Sequence, residues 1–133
     1  MIVAFFGRSA TGKTTLAKIV ASELAVEVRH CGDALRAAAT AAKSTIEAAS
    51  DDVHRSVDRE TLEWCERIGG GSGVLDGRFL DLVLSGCRNV ALVEVRAAHT
   101  VRVRRWAERL GRPFDEQDLG CVVKSVGWRH PAG

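Results

Sequence analysis

Proline is scarce (2 of 133 residues), aromatics make up 5%, and there is one methionine. No apolar run approaches the ~18 residues that a membrane span requires. No repeat or low-complexity tract appears, which argues against a fibrous or disordered chain. The length suits a single domain, 1–133, that buries roughly 70% of its unfolded surface. Charge of one sign is lacking too: 19 basic and 17 acidic residues leave a net charge of +2, so there is no polybasic tail. The few aromatics are not interleaved with basic residues, as a single-strand stacking platform would need. Neither nucleic acid nor a membrane is expected as a partner. The four cysteines, Cys31, Cys65, Cys87 and Cys121, form no C-x-x-C pair, and His30 beside Cys31 does not have ligand spacing. This excludes a zinc site or disulfide framework and predicts free thiols in a reducing cytoplasm. The segment MIVAFFGRS has no basic n-region and no small-residue cleavage site, so no signal peptide is expected. Lysine is scarce as well, at 4 against 15 arginines, and arginine is the residue that grips phosphate bidentately.

What is present alternates in period. Ile2 to Phe6 is a short apolar run with the character of a strand covered on both faces. Leu16, Ile19, Val20 and Leu24 then recur at helical spacing after Lys13. Ala25 to Val28 reads as a second strand. Asp33 is placed to cap a helix from Ala34 to about Ala42. Ser50, Asp51 and Asp52 supply the cap and first-turn carboxylates of the next helix, whose apolar positions are Val53, Val57, Trp64 and Ile68. In that helix Glu63 and Arg67 stand at pairing distance. Residues 74–76 read as a third strand, Phe79 to Leu84 as a short helix, and Val90 to Val95 as a fourth strand. A helix capped by Thr100 runs to about Leu110, and Cys121 to Val126 is a candidate fifth, edge strand. Strands alternating with helices predict βαβ units on a parallel sheet.

Gly7-Arg8-Ser9-Ala10-Thr11-Gly12-Lys13-Thr14 fits G-x-x-x-x-G-K-[ST] between a strand and an amphipathic helix, the context that a P-loop requires. Its backbone N–H groups and the helix N-terminus suit a phosphate chain. This predicts ATP binding by Gly7, Ser9, Ala10, Thr11, Gly12, Lys13, Thr14 and Thr15. Lys13 reaches the β- and γ-phosphates, and the Thr14 hydroxyl is a ligand for Mg²⁺. The Lys13 head is expected in a water-accessible loop. Asp76, ending a neighbouring strand, is the expected second magnesium-holding group, directly or through water, and Arg78 should point into the same crevice. At about 100° per residue, Arg102, Arg105, Arg109 and Arg112 share an arc of roughly 80°. Val103, Trp106, Ala107 and Leu110 occupy a separate apolar arc. Beside a P-loop, such a ladder suits the oxygens of a transferring phosphoryl group.

These residues resemble the nucleoside monophosphate kinases, most closely the archaeal-type cytidylate kinases. The resemblance rests on the P-loop, on His30-Cys31-Gly32-Asp33-Ala34-Leu35-Arg36 (similar to "S-x-G-D-x-x-R"), on Val57 to Glu63 leading to Asp76-Gly77-Arg78-Phe79-Leu80-Asp81, and on Val101-Arg102-x-x-Arg105-x-x-x-Arg109. The stretch Gly32 to Arg36 also resembles adenylate kinase. The resemblance implies a three-layer α/β/α P-loop fold with four or five parallel strands. It further implies a compact acceptor-binding region at 37–60, a short Arg-rich lid at 97–113 and a short C-terminal segment at 114–133. The implied reaction moves the γ-phosphate of ATP to CMP or dCMP, then AMP. Asp33, Arg36, Arg78 and Asp81 would bind the acceptor, and Lys13, Arg105 and Arg109 would be catalytic. Two other readings stay open: a kinase of a metabolite or antibiotic hydroxyl, with Asp33 orienting the hydroxyl, and a nucleotide-binding module without turnover.

Overall fold

A computed structural model describes residues 1–45, 48–109 and 111. The candidate edge strand at Cys121 to Val126, the segment 114–133, Leu110 and Arg112 lie outside the described residues. Four strands, β1 (Ile2–Phe6), β2 (Glu27–His30), β3 (Gly73–Gly77) and β4 (Val90–Glu94), form one parallel sheet in the order β2-β3-β1-β4. The helices are α1 (Lys13–Leu24), α2 (Cys31–Ala41), α3 (Asp51–Ile68), α4 (Leu80–Val83) and α5 (His99–Arg109). Among the described residues, no helix is long and apolar enough to cross a membrane.

The period-2 alternation of the strands decides which face each side chain enters. Ile2, Ala4 and Leu75 pack with Trp64 and Cys65 of α3 and with Leu80 and Leu84 on one side. Phe5 and Val74 pack with Ala17 and Ala21 of α1 on the other. Both faces are therefore covered, giving the expected three layers. Gly73 is needed for this closeness: a Cβ there would lie 2.8 Å from the Trp64 ring. The α1 face differs from the expected one. Ala17 and Ala21 are buried, whereas Ile19 and Leu24 are both 55% exposed. Two alanines let the helix ride close to the sheet, and the larger side chains are turned aside.

The strand and helix types match the expectations, while several ends are corrected. β2 begins at Glu27 because Ala25 adopts a left-handed conformation, φ 51 and ψ 48. Its N–H donates to Ser22 O at 3.2 Å and Val26 N–H donates to Ala21 O at 3.0 Å, the paired bonds of a Schellman closure. Asp33 lies in the first turn of α2, whose N-cap is His30. Thr100 lies within α5, not at its cap. Ser50 does cap α3, its hydroxyl accepting from Val53 N–H. Arg67 pairs with Glu27 of β2 at 2.8 Å in place of the expected Glu63, and Trp64 Nε1 donates to the same carboxylate at 3.1 Å. This clamp ties the end of α3 to the outer strand.

β1 lies between β3 and β4, and the chain reverses its direction of strand addition around it. In such sheets, ligands bind outside the carboxyl ends of the strands at this switch point. The loop after β1 and the end of β3 are therefore the places to look for a site.

Candidate nucleotide and acceptor site

The Gly7 to Thr14 loop leaves the end of β1 and enters α1. Gly7 has φ +148, and a Cβ there would lie 2.3 Å from Val95 O, so no other residue fits without moving backbone. Gly12 and Ala10 also have positive φ, 97° and 62°. Three successive carbonyls of the loop are each met by a donor. Arg8 O accepts from Thr11 Oγ1 and from Lys13 Nζ, each at 3.0 Å. Ser9 O accepts from Arg102 Nε at 3.2 Å, and Ala10 O accepts from Arg105 at 3.3 Å. With its carbonyls engaged in this way, the loop offers its N–H groups to an anion.

Lys13 is only 9% exposed, which corrects the expectation of a water-accessible head. Burial lowers its pKa to about 8; Asp76 opposes the shift, and Arg78, Arg109 and Arg102 add to it. The site thus concentrates positive charge before any phosphate arrives. The Thr14 hydroxyl donates to Asp76 Oδ1 at 3.2 Å, and Asp76, on β3, is 3% exposed. A hydroxyl and a carboxylate side by side at the mouth of a phosphate loop are the hard oxygen donors that magnesium takes, with phosphate oxygens and water completing its shell. The residues present therefore fit a magnesium ion at Thr14 and Asp76.

A cavity of about 550 Å³ opens beside this loop. It brings together Ser9, Ala10, Gly12, Lys13, Thr14, Thr15 and Asp76 with Asp33, Arg36, Arg78 and Arg109. Asp33 and Arg36, one turn apart on α2, pair with each other, and both side chains are more than half exposed. An incoming anion would compete with Asp33 for this guanidinium. Arg78 follows β3 and stacks over Phe79 at 5.6 Å. Asp81 is not brought to this cavity. It lines a second one of about 400 Å³, together with Gly7, Arg8, Thr11, Glu94, Arg96 and Arg102, and among the described residues only Arg78 and Phe79 border both. The four expected acceptor residues are therefore divided.

The Arg ladder also divides. Arg102 is 9% exposed and braces the loop from behind; burial lowers its pKa. Arg105 and Arg109 are exposed, the first lying across the loop and the second facing the cavity. Trp106, expected on the packing arc, lines the cavity with Arg109, while Val103 and Ala107 are buried. Sequence reasoning marked the region 37–60 and the stretch Val57 to Glu63 without singling out His54, Asp58 and Thr61, which α3 contributes to the cavity lining. Their spacing of about one turn was the available signal, but it reads equally as an ordinary helix face. Burial pushes the Asp58 carboxyl above its usual range, and His54 opposes the shift.

No family model and no curated protein matches the chain. Solved structures do match its fold. A candidate kinase from Chloroflexus aurantiacus superposes with a TM-score of 0.67 at 20% identity, covering 99% of this chain and 80% of its own. A sugar kinase from a Janibacter species gives 0.62 at 22% identity, with 98% and 79% covered. A gluconokinase from Sinorhizobium meliloti gives 0.61 at 14% identity, with 97% and 76% covered. The chain shares the α/β fold of these kinases.

Proposed function

We propose that the protein is an ATP-dependent phosphotransferase whose acceptor is a nucleoside monophosphate, CMP or dCMP first and AMP next. The observation that carries this reading is the shared cavity. Lys13, Thr14 and Asp76 line it together with Arg36, Arg78 and Arg109. A monophosphate oxygen is already an anion at neutral pH, so its attack on the γ-phosphate requires no general base. It requires alignment of two anions and enough positive charge to overcome their repulsion. Lys13 supplies charge at the phosphate chain, Arg36 and Arg78 hold the acceptor phosphate, and Arg105 and Arg109 add charge over the transferring group. Magnesium at Thr14 and Asp76 supplies further charge neutralisation when bound. Leu35, Val57, Leu80 and Val83 give the cavity an apolar floor beside the polar His54 and Asp58, a combination that suits a planar base. We place the protein in a reducing cytoplasm; the described cysteines, Cys31, Cys65 and Cys87, are free thiols.

The second reading, phosphorylation of a metabolite hydroxyl, is favoured by the Asp33 carboxylate on the cavity wall and by the sugar kinase and gluconokinase that share the fold. In that case Asp33 would orient the hydroxyl. An ADP-release screen of ATP against CMP, dCMP, UMP, AMP, GMP, gluconate and a panel of sugars separates the two. Turnover dependent on a nucleotide supports the proposal, and turnover with gluconate or a sugar alone replaces it with the second reading. ADP release with none of them leaves a binding module.

A further inference from the structure

We infer that His30 is a positioning residue for the magnesium site, holding the Asp76 carboxylate in place beside Thr14. The inference rests on the phosphotransfer reading and adds a residue to it. His30 ends β2 and Asp76 lies in β3, and the parallel register places them directly opposite one another. Registered residues of neighbouring strands project to the same face of the sheet. The His30 Nδ1 meets Asp76 Oδ2, while Asp76 Oδ1 accepts from the Thr14 hydroxyl at 3.2 Å. Both carboxylate oxygens are thus engaged, one by the phosphate loop and one by the outer strand.

The chemistry of the contact assigns the proton. A carboxylate only accepts, so Nδ1 carries the hydrogen and donates it. The side chains are 17% exposed for His30 and 4% for Asp76, so water cannot readily replace the bond. Without the imidazole, Asp76 keeps the single Thr14 bond and is free to rotate about its χ angles. A carboxylate that must meet a cation or its water loses affinity when its orienting partner is removed, because outer partners fix the ligand's direction. His30 does not border the main cavity, whereas its neighbours Cys31 and Gly32 do. Its effect therefore passes through Asp76 and not through direct contact with substrate.

The test measures ADP binding by calorimetry across a magnesium titration, with His30→Ala, His30→Asn and His30→Gln beside wild type. An Asn amide places a donor where Nδ1 stands, whereas the Gln amide extends one methylene beyond it. The half-saturating magnesium concentration should rise about tenfold in His30→Ala, while ADP binding in EDTA stays within about twofold of wild type. His30→Asn should restore most of the loss and His30→Gln should not, which keeps the test valid if the Ala variant does not fold. Equal magnesium midpoints in wild type, Asn and Gln proteins would overturn the inference and leave the nucleotide reading standing. A wild-type protein that binds no ADP with magnesium overturns both.

Discussion

Lys13→Met isolates the energetic cost built into the phosphate loop. In the ligand-free protein, burial brings the Lys13 ammonium from its ordinary pKa of 10.5 to about 8. A base whose folded pKa lies below its unfolded one binds fewer protons when folded, between those two values, so stability rises with pH across that window. Below about pH 8, both states carry the proton and the folded state bears the whole penalty. The drop corresponds to about 3 kcal/mol. Methionine keeps the unbranched stem and removes the charge, and it forfeits the bond to Arg8 O, which contributes about 1 kcal/mol. At pH 7 the variant should therefore be more stable by about 2 kcal/mol, moving a urea midpoint up by about 1 M. The advantage should vanish near pH 10 and reverse above it, leaving the variant less stable by the lost bond, about 1 kcal/mol. Phosphotransfer should fall by at least about 10²-fold, because charge at the transferring phosphoryl is lost. Urea unfolding in EDTA at both pH values, followed by circular dichroism, gives the comparison. A variant no more stable than wild type at pH 7 would refute the buried, destabilising charge.

Three further outcomes follow from the same geometry. Arg36→Ala and Arg78→Ala should raise KM for the acceptor and leave ATP affinity by calorimetry nearly unchanged. A charge-assisted phosphate bond contributes about 1.5–3 kcal/mol, and the exposed Arg36, already paired with Asp33, should fall at the low end. Arg105→Ala and Arg109→Ala should lower single-turnover rates at saturating ATP and acceptor, with Lys restoring them only in part because it lacks the planar fork; unchanged rates would make this a solvated helix face. Ala25→Gly should stabilise the protein by about 1 kcal/mol, because the left-handed conformation costs alanine that much, and thermal melting checks it.

The parts of this molecule legible in the sequence are the local ones. The P-loop is contiguous, the Ile2 to Phe6 run ends where its glycine must be, and the Ser50 cap depends on the next three residues. Asp76 could be placed because it ends an apolar strand. What the sequence did not disclose depends on atoms that meet only after folding. The Arg67 to Glu27 pair outcompetes the helical neighbour Glu63 because β2 presents a carboxylate already shared with Trp64. Asp81 parts from Asp33 and Arg36 because α4 turns it toward the second cavity. Lys13 is buried with its Nζ on Arg8 O, and Arg102 and Arg109 of α5 act on its charge, which a loop read on its own cannot show. The contact of His30 with Asp76 needs the register of two strands more than forty residues apart.

The most direct test of the central claim is a ³¹P NMR spectrum of ATP, CMP, magnesium and the protein over time. The account predicts loss of the ATP γ-signal together with the paired α- and β-resonances of CDP, in step with ADP. Gluconate in place of CMP should give no new phosphate ester. A spectrum in which CMP stays intact while a gluconate or sugar ester grows, or in which ATP is unchanged with every acceptor, would contradict it.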